Sequence, residues 1–230
     1  MIRTILRGYC YMIVVFFLIS SLDKCASDAH AAKPPVTPPE WRSVIGKHCA
    51  GSAPVRCDVT LSNEDCARVA EAVALINNST SATLLSFEGR VDMNTPDALD
   101  KAVAADLIFV TQATKRQEKE QCASRDGCVL AMTSWGKKSP AGCFAGVHVQ
   151  LTSQANALTD GQRYVTVVHE LLHALGLSHN PFPIAGSMIN TYAPQHVPVR
   201  PHALGEFETL RLCILYDCRP IYFGDLRGGF

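Results

Sequence analysis

The chain has 230 residues, 47% of them hydrophobic, and its 21 basic and 21 acidic side chains cancel. Balanced, interspersed charge argues against a nucleic-acid partner and against a broad anionic membrane surface. The length and apolar content fit one domain with a substantial core.

At the N-terminus, Arg3 and Arg7 precede an apolar run over 9–19 that is short for a membrane span and has the flanks of a secretory signal. Ala29-His30-Ala31 offers a small-x-small cleavage site, so 1–31 reads as a signal peptide and the protein as exported. Cys25 sits in a weak lipoprotein outline spoiled by Lys24, and no stable membrane partner is expected unless this segment is retained or lipidated. Residues 32–40 carry four prolines and read as a tether. The folded domain is expected over 41–230, with an upper part to about 176 and a lower part beyond it.

Ten cysteines include Cys10 and Cys25 in the leader, which leaves eight: Cys49, Cys57, Cys66, Cys122, Cys128, Cys143, Cys213 and Cys218. An even count in an exported chain predicts up to four disulfides, with Cys122–Cys128 and Cys213–Cys218 as plausible local pairs.

Ser62 to Asp65 resembles a capping box, and Val69, Val73 and Ile76 follow at helical spacing, so a helix is expected over 63–77. Residues 82–87, 106–111, 128–135 and 145–151 are β-rich runs bounded by turn formers and read as strands. The mixed-sign run over 115–120 reads as a solvated loop or helix face. Thr159 and Gln162 are placed to cap a second helix, along which Val168, Leu172 and Leu175 form one flank and His169 and His173 the neighbouring one. Leu204, Phe207, Leu210 and Ile214 recur at helical spacing and predict a last helix over 203–215.

The second helix carries His169-Glu170-Leu171-Leu172-His173-Ala174-Leu175-Gly176-Leu177-Ser178-His179. Residues four apart share a helix face, so His169 and His173 can present two imidazoles to one ion. Gly176 can turn the chain out of the helix at positive φ and bring His179 back to the same ion. Three neutral nitrogens with one open position are the pattern of a single catalytic Zn2+. Glu170, about 100° round the helix from His169, is placed as general base rather than ligand.

This run, followed by Gly186-Ser187-Met188-Ile189-Asn190-Thr191-Tyr192, resembles the metzincin clan of zinc metallopeptidases. The resemblance implies an α+β, metzincin-like zincin fold: a mixed, mostly parallel sheet, an active-site helix, an irregular lower subdomain and a C-terminal helix. It assigns Met188 to the methionine turn beneath the metal, and places Tyr192 in the substrate pocket at the matrixin spacing. Astacins and serralysins have a tyrosine ligand two residues after the methionine, where this chain has Asn190. The clan also implies that the strand over 145–151 is the sheet edge bordering the cleft, which makes Gly146, Val147 and His148 the candidates for substrate contact. His148, His30, His48, His196 and His202 are left out of the zinc set. Some members of the clan hold the zinc latent with a cysteine, but the motif of that switch is missing around Cys57, which is expected in a disulfide. The function implied is a secreted zinc endopeptidase acting on a peptide or protein substrate. A non-catalytic, zinc-stabilised binding module and a zinc amidase acting on cell-wall peptides are the alternatives.

Overall fold

A computed structural model describes residues 46–92, 97–123, 129–136, 138–180, 184, 186–190 and 200–221. They belong to one compact unit spanning Ser43–Phe230. The signal, the tether, Tyr192, His196 and the Cys122–Cys128 pair lie outside the described residues or side chains.

Among the described residues the sheet has five strands: β1 (Ala53–Asp58), β2 (Leu85–Val91), β3 (Ile108–Gln112), β4 (Ala131–Trp135) and β5 (Val147–Leu151). Their spatial order is β2-β1-β3-β5-β4, and β4 alone runs antiparallel. One face carries α1 (Asn63–Asn78) and α4 (Asp160–Ala174), which pack on each other as well as on the sheet. Ile108, Val110, Val147 and Val149 point into this main core with Val69, Ile76, Val168 and Leu172. The opposite face buries Phe109 and Leu107 against Ala102 of α2 (Ala98–Ala104), as the period of two along a strand requires. The run over 115–120 lies in α3 (Lys115–Ala123), and α5 (Glu206–Tyr216) closes the described chain.

Both helix starts follow their caps. Ser62 Oγ accepts from the Asp65 N–H at 3.0 Å, and Thr159 and Gln162 exchange both bonds of a capping box. Three disulfides join described cysteines: Cys49–Cys143, Cys57–Cys66 and Cys213–Cys218. Cys57 is therefore committed to a disulfide.

β1 escaped the sequence reading although it lies inside the sheet, because Pro54 and Arg56 interrupt its apolar run and proline ordinarily marks an edge. β2 continues to Val91, beyond the predicted end at 87. Gly89, at φ +83°, takes up an extra residue where the register jumps from Val55–Phe87 to Cys57–Arg90.

The expected edge strand is a correction. β5 is hydrogen-bonded to β3 on one side and to β4 on the other, so Gly146, Val147 and His148 border no open edge. Chain order does not dictate spatial order: β4 precedes β5 in sequence but folds back outside it and takes the rim. Val147 is fully buried in the core, and a Cβ on Gly146 would lie 2.4 Å from the Val103 backbone. A peptide strand added to β5 would have to displace β3 or β4.

The buried face of α5 is a second correction. Glu208, Thr209, Arg211 and Leu212 face inward, whereas Ile214, a member of the predicted apolar stripe, is 63% exposed. Glu208 and Arg211 are hydrogen-bonded around the site, and that binding outweighs the apolar stripe as the determinant of how α5 is rotated.

Candidate metal centre

From Tyr164 to Ala174, α4 is buried on every side. The helix ends at Leu175 in a Schellman arrangement: the Leu177 N–H donates to Leu172 O at 3.0 Å and the Gly176 N–H to His173 O at 2.8 Å. Gly176 takes φ +98°, which reverses the chain and brings His179 back over the helix. A further constraint acts at the same residue. A Cβ there would stand 1.6 Å from the Gly46 carbonyl oxygen, because the N-terminal strand of backbone crosses directly over this turn. The Tyr216 hydroxyl ties that crossing down, accepting from the His48 N–H at 3.0 Å and donating to Leu175 O at 3.0 Å.

The three Nε2 atoms converge. His169 and His173 are 3.0 Å apart, and each lies 3.1 Å from His179. The outer nitrogens of the two helical ligands face carbonyls, His169 Nδ1 at 2.5 Å from Met188 O and His173 Nδ1 at 2.6 Å from Leu177 O. Those carbonyls require an N–H on Nδ1 and so leave a lone pair on each Nε2. Burial holds His169 down to about 3 and His173 to about 4, and it lowers His179 too, so neutral rings face one another at pH 7. Two lone pairs opposed at 3.0 Å repel unless a cation lies between them. A triangle of this size suits a zinc ion at the usual Zn–N distance of about 2.0–2.1 Å, which His169, His173 and His179 would hold. These three histidines are the metal-binding group among the described residues.

Glu170 lies beside the triangle and is 6% exposed. Its burial raises the carboxyl to about 7, against the opposing effect of the Thr133 hydroxyl, which donates to Oε2 at 2.5 Å.

Three solved structures resemble this chain over most of their own length. Archaemetzincin from Methanopyrus kandleri matches at 9% identity and a TM-score of 0.45, covering 74% of this chain and 98% of its own. The hatching enzyme HCE-1, a zinc-protease from the medaka Oryzias latipes, matches at 16% and 0.38, over 77% and 96%. Myroilysin matches at 13% and 0.42, over 79% and 96%. No family model and no curated protein matches the chain. The metal centre itself rests on the histidine geometry.

Behind the triangle lies a polar network that the sequence reading missed. Asn180, next to His179, donates to Ser187 Oγ at 2.7 Å and to Asn190 Oδ1 at 2.8 Å, and accepts from Arg211 Nη1 at 3.0 Å. Glu208, fully buried, accepts from the Ser187 hydroxyl and from the Met188 N–H at 2.9 Å. The segment 187–190 is thus held from α5, and with it the Met188 carbonyl that orients His169. The available signal was a pair of opposite charges three residues apart, Glu208 and Arg211, within a largely apolar helix. Asn190 is bonded to Asn180 and to Ile184, which occupies its amide behind the site. Met188 is 1% exposed.

Glu208→Ala should destabilise the fold by about 3 kcal/mol, since it takes the acceptor from the buried Ser187 hydroxyl and Met188 N–H and removes the charge that offsets Arg211. It should also weaken zinc binding by roughly tenfold to a hundredfold through the loosened His169. Denaturant unfolding and competition with a chromophoric chelator measure the two effects. Unchanged zinc affinity would show that the network serves stability alone.

His148 sits away from the metal. Thr133, which reaches Glu170, pairs with Val149, so His148 one residue earlier points to the opposite face of the sheet. There it stacks on Phe109 at 5.6 Å and meets Thr111 Oγ1 at 2.9 Å. Burial pulls its pKa down from 6.5 to about 4, with Asp58 opposing. The folded pKa lies below the unfolded one, so the stabilisation is present above about 6.5 and is lost as pH falls toward 4. His148→Gln should therefore remove on the order of 3 kcal/mol from the acid sensitivity of stability over that window. Parallel wild-type and variant unfolding curves across it would refute the assignment.

Proposed function

We propose that the protein is an exported zinc endopeptidase of metzincin type, with His169, His173 and His179 as ligands and Glu170 as general base. The observation that carries this reading is the convergence of three neutral Nε2 atoms within 3.1 Å of one another, beside a buried carboxyl. Zinc held there would supply a Lewis acid for the scissile carbonyl and would acidify a water toward neutrality. The chain's own residues do the rest. Glu170 Oε2 is held by Thr133, so Oε1 takes the proton from the attacking water and passes it to the leaving amine. A carboxyl near pH 7 is suited to both halves of that transfer.

The open edge of β4 receives the substrate. Among the described residues Ala131–Trp135 is hydrogen-bonded to β5 on one side only, and all five residues are partly exposed. An extended peptide can add there as a further strand, directly above α4. Disulfides agree with an oxidising, extracellular setting. No helix among the described residues is long and apolar enough to cross a membrane.

The test is to load the purified full chain with zinc, confirm one ion per molecule, and profile cleavage of peptide, protein and muropeptide libraries. Cleavage of extended peptides is expected. Exclusive turnover of muropeptides would reassign the site to a cell-wall amidase, and bound zinc without turnover would reassign it to a binding module.

A further inference from the structure

Two side chains of β4 hydrogen-bond to the reactive segment of α4. Trp135 Nε1 donates to His173 O at 3.0 Å. Thr133 Oγ1 lies 2.5 Å from Glu170 Oε2 and 3.2 Å from the carbonyl oxygen of the same residue. Thr133 is mid-strand in β4, paired with Val149, and its side chain is only partly exposed. A β-branched residue in a strand has little χ1 freedom, so the hydroxyl is held on the helix side without help from the substrate.

We propose that Thr133 is a positioning residue for the general base, fixing which carboxyl oxygen of Glu170 works and where it points. The inference rests on the reading of Glu170 given above. A hydroxyl has a single proton to donate, and an ionised carboxylate is the stronger acceptor, so the bond to Oε2 forms while Glu170 is charged. Oε1 is then the oxygen that faces the water. When Glu170 holds the transferred proton, the Thr133 hydroxyl can swing its own to the Glu170 carbonyl, so neither state leaves that hydroxyl unbonded. Because Thr133 stands on the strand that receives the peptide, the same element sets the height of the substrate and the angle of the base. Loss of the hydroxyl leaves zinc and peptide bound while the carboxyl swings out of line.

The test compares Thr133→Val, which keeps the shape and deletes the donor, with Thr133→Ser, which keeps the donor. On a cleaved peptide, Thr133→Val should lower kcat by about tenfold to a hundredfold with KM within about twofold, and zinc content should stay equal to wild type. Thr133→Ser should stay within about threefold of wild type. Acetohydroxamate binding to the zinc-loaded protein gives a readout independent of turnover. Thr133→Val should weaken it severalfold when Glu170 is present and should leave it unchanged in the Glu170→Ala background. Wild-type kcat in Thr133→Val, equal damage in Thr133→Ser, or the same hydroxamate loss in both backgrounds would overturn the proposal. If wild type cleaves nothing, the peptidase reading falls while the hydroxamate cycle still decides the role of Thr133.

Discussion

Glu170→Gln is expected to lower kcat by about a hundredfold to ten-thousandfold with its zinc content unchanged. Glutamine has nearly the same shape and keeps an oxygen that can accept from Thr133, so the fold around α4 should persist. What it loses is the ability to take a proton. The carboxyl is 6% exposed and stands beside the three-nitrogen triangle, with burial raising it to about 7. Its removal therefore reads out base function rather than metal affinity. Metal analysis and steady-state kinetics on the same preparation separate the two. A variant within about tenfold of wild type would mean that another group takes the proton.

Gly176→Ala is expected to destabilise the protein by about 3–5 kcal/mol and to abolish tight zinc binding. Two effects add at this residue. The φ of +98° is unfavourable for any residue with a Cβ. The methyl group would also fall 1.6 Å from the Gly46 carbonyl oxygen, so the crossing backbone must move and His179 with it. Gly142→Ala is the control, since Gly142 has φ +81° and a methyl group there would meet nothing within 4 Å. That variant should cost about 1 kcal/mol from backbone strain alone. Equal losses in the two variants would remove the close approach from the explanation.

The ligand set was legible because it is local. His169 and His173 are four residues apart on one helix, and Gly176 marks where the chain turns so that His179 can return. The caps at Ser62 and Thr159 were equally visible, since each involves residues within one turn. Arg56 and Pro54 hid β1, because a strand's interior place depends on neighbours that lie 32 to 53 residues away. The face of α5 was misjudged for a related reason. Glu208 and Arg211 look like solvent-facing charges until Met188, Ser187 and Asn180 are brought against them.

By itself the sequence determined the three-histidine run, its helix and turn, and the place of Glu170 next to His169, because those depend on spacing along a few turns of chain. Only the tertiary structure decided that β4 forms the open edge while β5 is enclosed, and that Thr133 reaches Glu170 across 37 residues of sequence. It also decided that Gly46 crosses Gly176 and that α5 anchors the Met188 segment. The division follows from the physics: hydrogen bonds within a turn are encoded by neighbours, whereas strand order and the pairing of buried charges are settled by how distant segments pack.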